Sequence, residues 1–192
     1  MVSTPMARTG ADIRGASMIE VLVTMVIIAF GLLGMSGLQM RLQMSELESY
    51  QRSQALLLVA DMANRLAVNR TAAVAGAYGI PAAAPLGAGM ACPTATTNAV
   101  ERDRKEWCEA LQGAGETSGT AKVGAMVGGR GCVESVDGDL LVTVAWQGLT
   151  PIAAPPASVG CGAGSYNAAD GSPCVNDLCR RTVTTLVRIA TL

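Results

Sequence analysis

A long apolar segment near the N-terminus dominates the hydrophobic pattern of the chain. Residues 21–40 contain no charged side chain, and Glu20 stands directly before them. A helix of about 20 residues rises about 30 Å, which matches the hydrocarbon thickness of a bilayer. The pattern therefore predicts a membrane-spanning helix. A carboxylate at the head of such a helix is expensive in hydrocarbon and indicates a specific role for Glu20.

The helical pattern continues beyond the apolar segment. Between residues 41 and 70, apolar side chains recur at multiples of three or four, with oppositely charged residues four apart on the wetter side. The predicted apolar stripe is Leu47, Tyr50, Leu58, Met62 and Leu66, and the predicted ion pairs are Glu48–Arg52 and Asp61–Arg65. We expect one helix over residues 17–69.

Three glycines interrupt this helix at three-residue spacing: Gly31, Gly34 and Gly37. Each costs about 1 kcal/mol relative to alanine in a helix interior. Small residues also allow helices to approach closely in lipid. The sequence leaves both interpretations open, a packing face or a place where the helix can bend or partly melt.

The C-terminal half alternates between apolar and polar residues, as strands do. Residues 132–136 and 139–146 flank Asp137-Gly138, a two-residue sequence typical of a tight β-hairpin turn. In that register Val133 lies opposite Val142, and one face carries Val133, Leu140, Val142, Val144 and Trp146. Residues 180–192 predict a third strand with Val183, Val187 and Ile189 on one side. The expected fold is α+β, a long helix packed on an antiparallel sheet of three or more strands.

The remaining segments are rich in Gly, Ala, Pro and Thr. Residues 71–100, 113–131 and 148–173 predict loops, and residues 101–111 predict a short helix. Trp146 is expected in the core because it shares the apolar strand face. The loop over residues 148–172, which contains Tyr166, is the best candidate for contact with a partner.

All six cysteines lie beyond the apolar segment, and the chain has no histidine. An even number on one side of a membrane span indicates an oxidising compartment and disulfide bonds. Zinc is disfavoured because no C-x-x-C pair and no histidine is present. The candidate half-cystines are Cys92, Cys108, Cys132, Cys161, Cys174 and Cys179. The pattern leaves their pairing open, although a Cys92–Cys108 bond would close the loop after the long helix onto the next helix.

Charge and composition exclude several functions. The net charge is −1 and no basic cluster exists, so nucleic-acid binding is not indicated. Without histidine or a nucleophile motif, we expect neither catalysis nor a cofactor. Asp137 and Asp139 lack the spacing of a calcium loop, and the hairpin turn already explains them. No metal site is predicted.

The flanking charges predict the orientation of the span. Arg8 and Arg14 precede it with only Asp12 against them, which favours a cytoplasmic N-terminus and a periplasmic C-terminal domain. A conventional secretory signal is the alternative. Its apolar core is usually shorter, and it ends in a small-residue cleavage site, whereas here residues 41–43 read RLQ.

Residues 14–23, RGASMIEVLV, resemble the class III leader of type IV pilins and type II secretion pseudopilins. Residues 31–39, GLLGMSGLQ, resemble the PilV family of minor pilins, the type IV pilus modification proteins. Later matches in the order of that family are Asp103, Trp107, Leu111, Gly128-Gly129, Val133 and residues 142–146. The residue after the leader glycine is usually phenylalanine in pilins and is Ala16 here.

This resemblance implies a pilin fold in three parts: a leader, residues 1–15; a membrane-spanning and filament-core segment, residues 16–40; and a periplasmic head, residues 41–192. It implies cleavage between Gly15 and Ala16, methylation of the new amine on Ala16, and registration of subunits by Glu20 against the amine of a neighbour. The implied partners are other minor and major pilins, the prepilin peptidase and methylase, and the inner-membrane assembly machinery.

The function that the resemblance implies is participation in type IV pilus assembly and its initiation, and so in twitching motility and attachment. The expected location is the inner membrane, followed by the pilus at the cell surface. Three alternatives remain at this point: a minor pseudopilin of type II secretion, an adhesin-like binding module on a pilin stem, and a membrane-anchored periplasmic enzyme. The last has no candidate site in the sequence.

Overall fold

The computed structural model describes residues 17–115, 117–119, 121, 122, 124, 126–169 and 171–189. Its longest element is the helix α1, Met18–Val68, in agreement with the single helix predicted over 17–69. The chain divides into two compact units between Gln43 and Met44. The first holds the apolar part of α1, and the second holds the rest of α1 and the sheet.

In the second unit, α1 buries one face in the hydrophobic core. Its buried residues are Gln51, Ala55, Val59, Met62 and Leu66, spaced three and four apart as one helix face requires. The predicted stripe is therefore only partly correct. Leu47 and Tyr50 are 55% and 48% exposed, because they lie about 80° and 140° around the helix from Ala55, outside the buried face.

Four strands form one antiparallel sheet in the order β1-β4-β5-β6, with β1 Leu86–Gly87, β4 Arg130–Val136, β5 Asp139–Gln147 and β6 Arg180–Val187. The predicted hairpin is confirmed: Asp137 and Gly138 adopt φ of 52° and 87° between β4 and β5, and Val133 pairs with Val142. The predicted third strand is β6, which ends at Val187, and residues 190–192 lie outside the described part.

The inner face of the sheet carries the predicted apolar residues. Val133, Val142, Val144 and Trp146 are buried, and Leu140, Val183, Val187 and Ile189 pack against the same core. The α+β architecture expected from the sequence is therefore present, with a sheet of four strands.

The segment predicted as a loop over residues 71–100 contains two short elements. These are the helix α2, Arg70–Val74, and the strand β1. Leu86 is buried, and a Cβ on Gly87 would lie 2.3 Å from the Gly129 carbonyl oxygen. The prediction was wrong here because glycine permits a close backbone approach that local composition does not reveal.

The helix α3, Ala99–Leu111, begins two residues before its predicted start. Asn98 caps it by accepting a hydrogen bond from the Glu101 amide. Trp107 is fully buried, and its indole N–H donates to the Leu58 carbonyl at 2.9 Å. This contact joins α3 to α1.

The Gly-rich segment predicted as a loop over residues 113–131 also contains secondary structure. The strands β2, Thr117–Ser118, and β3, Ala121–Lys122, pair antiparallel as a separate small sheet, and β4 starts at Arg130. Strands of two residues fall below the length at which alternation can be recognised in a sequence.

Candidate functional site

The apolar part of α1 exposes its side chains along its whole length. Residues 17–47 are all exposed, and Phe30 and Leu33 are 71% and 68% accessible. Within the described residues, α1 is the single helix that is long and apolar enough to cross a membrane by length and composition. An apolar surface of this size is unfavourable in water and favourable in lipid or against other apolar helices.

Glu20 lies in the first turn of this segment. Its backbone N–H donates to the Ser17 carbonyl at 2.9 Å and approaches the Ser17 hydroxyl at 3.4 Å. Ser17 and Glu20 have the S-x-x-E spacing of a capping box, in which an acid also favours the positive end of the helix dipole. Both of these bonds use the Glu20 backbone, so they fix the start of the helix beside Ser17, whereas the sequence predicts a functional charge on the Glu20 side chain.

The carboxylate of Glu20 belongs to none of the ion pairs between the described residues and is exposed. Gly15 and Ala16, the predicted cleavage and methylation positions, lie outside the described residues. A partner for Glu20 therefore remains a prediction from the sequence.

Gly31, Gly34 and Gly37 lie within continuous α-helix. A Cβ added at any of them would have no neighbour within 4 Å among the described residues. Contacts within the chain therefore do not require glycine here. Helix packing would bring a second helix against these glycines, and helix flexibility would matter when the segment leaves the bilayer. Both interpretations therefore concern surroundings outside the single chain.

Three disulfides join the six cysteines: Cys92–Cys108, Cys132–Cys161 and Cys174–Cys179. The predicted disulfides are thus present, including the suggested Cys92–Cys108 bond. That bond ties the segment after β1 to α3, and Cys132–Cys161 ties the long loop after β5 to strand β4. These two disulfides fix the Gly-, Ala- and Pro-rich segments after β1 and after β5, which bury few side chains of their own.

The loop over residues 148–172 is fixed to the sheet more firmly than its composition indicates. The Tyr166 hydroxyl donates to the Gly128 carbonyl at 2.9 Å, and the Arg130 guanidinium lies 5.1 Å from the ring centroid. Burial raises the pKa of Tyr166 above its ordinary value, although Arg130 acts in the opposite direction. A cation over an aromatic face is a stabilising contact.

Tyr166 is only 3% exposed, so it belongs to the interior and does not present a contact surface. Its hydrogen-bonding partner, Gly128, is 38 residues away in the sequence, so this burial was not evident from the local pattern. Partner contact by the loop over residues 148–172 stays a prediction. Trp146 is buried, as predicted. Among the described residues of this loop, the exposed large apolar side chains are Leu149 and Ile152.

A polar network that the sequence pattern does not predict joins α1, α3 and the segment after α2. Arg65 reaches Asp61 at 3.0 Å, as its i,i+4 spacing predicted, and also Asp103 and Glu106, each at 2.8 Å. Burial alone would lower the pKa of Arg65, but hydrogen bonds to Glu106, Asp61 and Asp103 raise it above the ordinary arginine value. Asp103 and Glu106 lie three apart in α3, a spacing that places both on one helix face.

The same network includes a buried phenol. Tyr78 donates to Asp103 through a short hydrogen bond and accepts one from the Asn69 side chain at 3.2 Å. Burial raises the pKa of Tyr78, and the hydrogen bond to Asp103 adds to that shift.

The predicted Glu48–Arg52 pair is replaced by a long-range pair. The Glu48 carboxylate accepts from Arg181 of β6 at 2.7 Å, and Arg181 also donates to the Thr150 carbonyl. Arg181 is largely buried, so its guanidinium competes better for the acid than the exposed Arg52 does.

Asp139, which with Asp137 lacks the spacing of a calcium loop, accepts hydrogen bonds from Arg188 at 3.2 Å. Within the described residues, no group of three or more acids or cysteines has the geometry of a metal site.

No protein-family model matches the chain, and comparison with curated proteins and with solved structures finds no match.

Proposed function

We propose that this protein is a minor subunit of a type IV pilus of the PilV kind, held in the inner membrane before it enters the filament. The observation that carries the proposal is Glu20, the single charge between residues 17 and 40 of an otherwise apolar segment. A plain membrane anchor does not need an acid at that position, whereas a subunit that must align with its neighbours does.

Two further features support the assembly role. The first is that the apolar part of α1 is exposed throughout, which suits both lipid and the packed helices of a filament core. The second is a head held by three disulfides, which suits the oxidising periplasm and cell surface.

In this proposal, Glu20 acts twice. In the membrane it lies near the interface, where partial hydration limits the free-energy cost of its charge. In a filament core it is surrounded by apolar helices and requires a cation. The first basic side chain after it is Arg41, more than five turns further along the helix, so the partner is the amine that cleavage creates on Ala16 of a neighbouring subunit.

The test is to locate the chain. Filaments sheared from cells that express an epitope-tagged protein are purified and compared with membranes by quantitative mass spectrometry. We expect the chain in type IV pili at substoichiometric levels. Deletion of its gene should reduce piliation and leave type II secretion intact; loss of secretion with normal piliation would instead favour the pseudopilin alternative.

A further inference from the structure

The loop after β5 begins at the end of the second unit where α1 enters it. The strand β6 runs in the same direction as α1, because Val183 lines a hollow with Val59 and Val187 lines another with Ala67. The strand β5 is antiparallel to β6, so it runs back toward the start of the unit. Residues 148–152 follow β5 and therefore lie at that end.

Arg181 fixes this loop to the first turns of α1 in the unit. Its guanidinium pairs with Glu48 at 2.7 Å. It also donates to the Thr150 carbonyl at 2.6 Å and to the Leu178 carbonyl at 3.2 Å. Glu48 lies about one helical turn after Met44, where the second unit begins. The start of the loop is thus held beside the point where α1 enters.

Three large apolar side chains are exposed here: Leu149, Ile152 and Val175, with exposed fractions of 39%, 54% and 40%. We call them the basal patch. The Ile152 N–H donates to the Leu178 carbonyl at 2.8 Å, and the Leu178 N–H donates to the Val175 carbonyl at 3.0 Å, so the two segments meet. Residues 148–169 contain no charged side chain. A group of exposed apolar side chains on a fixed backbone indicates a contact surface.

The polar groups next to the basal patch are largely paired. Glu48 is paired with Arg181, and the Asp177 carboxylate lies 3.2 Å from Arg180 and accepts a hydrogen bond from a backbone N–H of the loop. Pro151, between the two exposed residues of the loop, has no N–H to satisfy. The patch can therefore enter an apolar phase without leaving these acids unpaired.

From these observations we infer that the basal patch docks on the bilayer that α1 spans, with Leu149 and Ile152 at the boundary between headgroups and acyl chains. Lipid is the occupant because the apolar run ends at Met40, only four residues before the second unit begins at Met44. The contact orients the second unit on the membrane. The inference rests on the membrane-held state of the proposed function and not on the filament.

The size of the basal patch favours lipid over a protein partner. Three partly exposed side chains offer far less than the roughly 800 Å² that each partner buries in a stable protein interface. They would also bind a membrane weakly on their own. Because α1 already holds them at the bilayer, docking is intramolecular, and a small apolar area is sufficient.

The experiment places a tryptophan in the basal patch of the full chain in phospholipid nanodiscs. Lipids brominated near the headgroup end of their acyl chains quench a tryptophan that touches them. Trp107 and Trp146 are buried, and the unsubstituted chain measures their background emission. We expect the emission added by Ile152→Trp to fall about twofold or more in brominated discs. Leu149→Trp gives a second reading from the same patch.

Two further variants serve as controls. Val136→Trp lies at the hairpin end of the sheet, opposite the basal patch, and Val136 is 42% exposed, similar to Leu149. We expect its emission to be unchanged by brominated lipid. Phe30→Trp lies in the apolar run and reports insertion of α1, so its emission should be quenched.

A charge tests whether apolar character causes the docking. Adding Leu149→Asp to Ile152→Trp should restore most of the quenched emission, because a carboxylate is costly at the edge of the hydrocarbon. Undiminished quenching in this double variant would overturn the role of the apolar side chains. Near-UV circular dichroism checks that every variant is folded.

The remaining outcomes separate this inference from the state on which it rests. Quenching of Phe30→Trp without quenching of Ile152→Trp and Leu149→Trp would overturn the docking and leave the membrane-held state intact. No quenching of Phe30→Trp would contradict the membrane-held state, and the docking with it. Quenching of Val136→Trp equal to that of Ile152→Trp would overturn a specific basal contact. Shielding of Ile152→Trp from aqueous iodide only in discs that hold two chains would identify a protein contact instead.

Discussion

Arg65 of α1 and Asp103 of α3 lie 2.8 Å apart, in a network that also engages Asp61, Glu106 and Tyr78. The Arg65 and Asp103 side chains are only 22% and 21% exposed. This pair is therefore partly removed from water, and loss of one member leaves charges that the other groups cannot fully compensate.

We expect Arg65→Ala to lower the free energy of unfolding by about 2 kcal/mol, less than for a fully buried pair because solvent still reaches the network. Arg52→Ala is the control, since Arg52 is exposed on the same helix. Urea denaturation of the full chain in detergent measures both. A loss equal to that of the control would show that the network contributes nothing beyond surface pairing.

The raised pKa of Tyr78 predicts a pH dependence of stability. A group whose pKa is higher in the folded state binds its proton more tightly there, so stability is complete below the unfolded pKa, about 10, and decreases as pH rises through the folded pKa. We expect Tyr78→Phe to reduce this alkaline decrease. The pKa of Tyr166 is raised as well, so Tyr166 accounts for part of the alkaline decrease in stability that the variant retains.

Tyr78→Phe should also lower stability at neutral pH by about 1 kcal/mol, because Asp103 and Asn69 lose a hydrogen-bonding partner. Thermal unfolding followed between neutral and strongly alkaline pH measures both effects. An unaltered alkaline profile in the variant would contradict the assignment of the shift to Tyr78.

The three disulfides should stabilise the head in the order of the loops they close. Their half-cystines are 29, 16 and 5 residues apart for Cys132–Cys161, Cys92–Cys108 and Cys174–Cys179. The chain-entropy relation gives about 3.5, 3 and 2 kcal/mol in that order. Paired cysteine-to-alanine variants, compared by urea denaturation, test the ranking, and the largest loss from the Cys174–Cys179 variant would contradict it.

Regular periodicity and turn chemistry made much of this fold predictable. The hairpin at Asp137-Gly138 and the pairing of Val133 with Val142 followed from a turn that demands positive φ and from strict alternation. The extent of α1 followed from its apolar run and continuing helical period. These features depend on neighbours in sequence.

What could not be predicted depends on contacts between distant segments. Arg181 captures Glu48, and Tyr166 is buried against Gly128, although nothing close in sequence indicates either contact. The strand at Leu86 exists only because β4 pairs with it. At the candidate site, the charge of Glu20 was evident from sequence, whereas its hydrogen-bonded position beside Ser17 required coordinates.

Leader processing is the fourth prediction. A short charged leader that ends at Gly15 directly before the apolar segment should be removed, so that the mature chain begins at Ala16 with a methylated amine. Intact-mass and N-terminal peptide analysis of membrane-extracted protein measures this. An uncut leader, or a cut beyond Met40, would contradict it.

The central claim is that the charge of Glu20 aligns the subunit in a filament. The matched variants are Glu20→Gln, which keeps a side chain able to cap the helix but removes the charge, Glu20→Asp, which keeps the charge, and Glu20→Ala, which removes both. Because the substitutions leave Gly15 and the apolar residues 21–40 unchanged, all three should insert in the membrane and lose their leader normally.

The most direct measurement is the ratio of this chain in sheared pili to that in membranes, determined by quantitative mass spectrometry for the wild type and the three variants. We predict that Glu20→Gln and Glu20→Ala both reduce the ratio about tenfold or more, as loss of a buried ion pair requires, and that Glu20→Asp reduces it less. A wild-type ratio for Glu20→Gln would show that capping, and not charge, explains the residue, and would contradict the account.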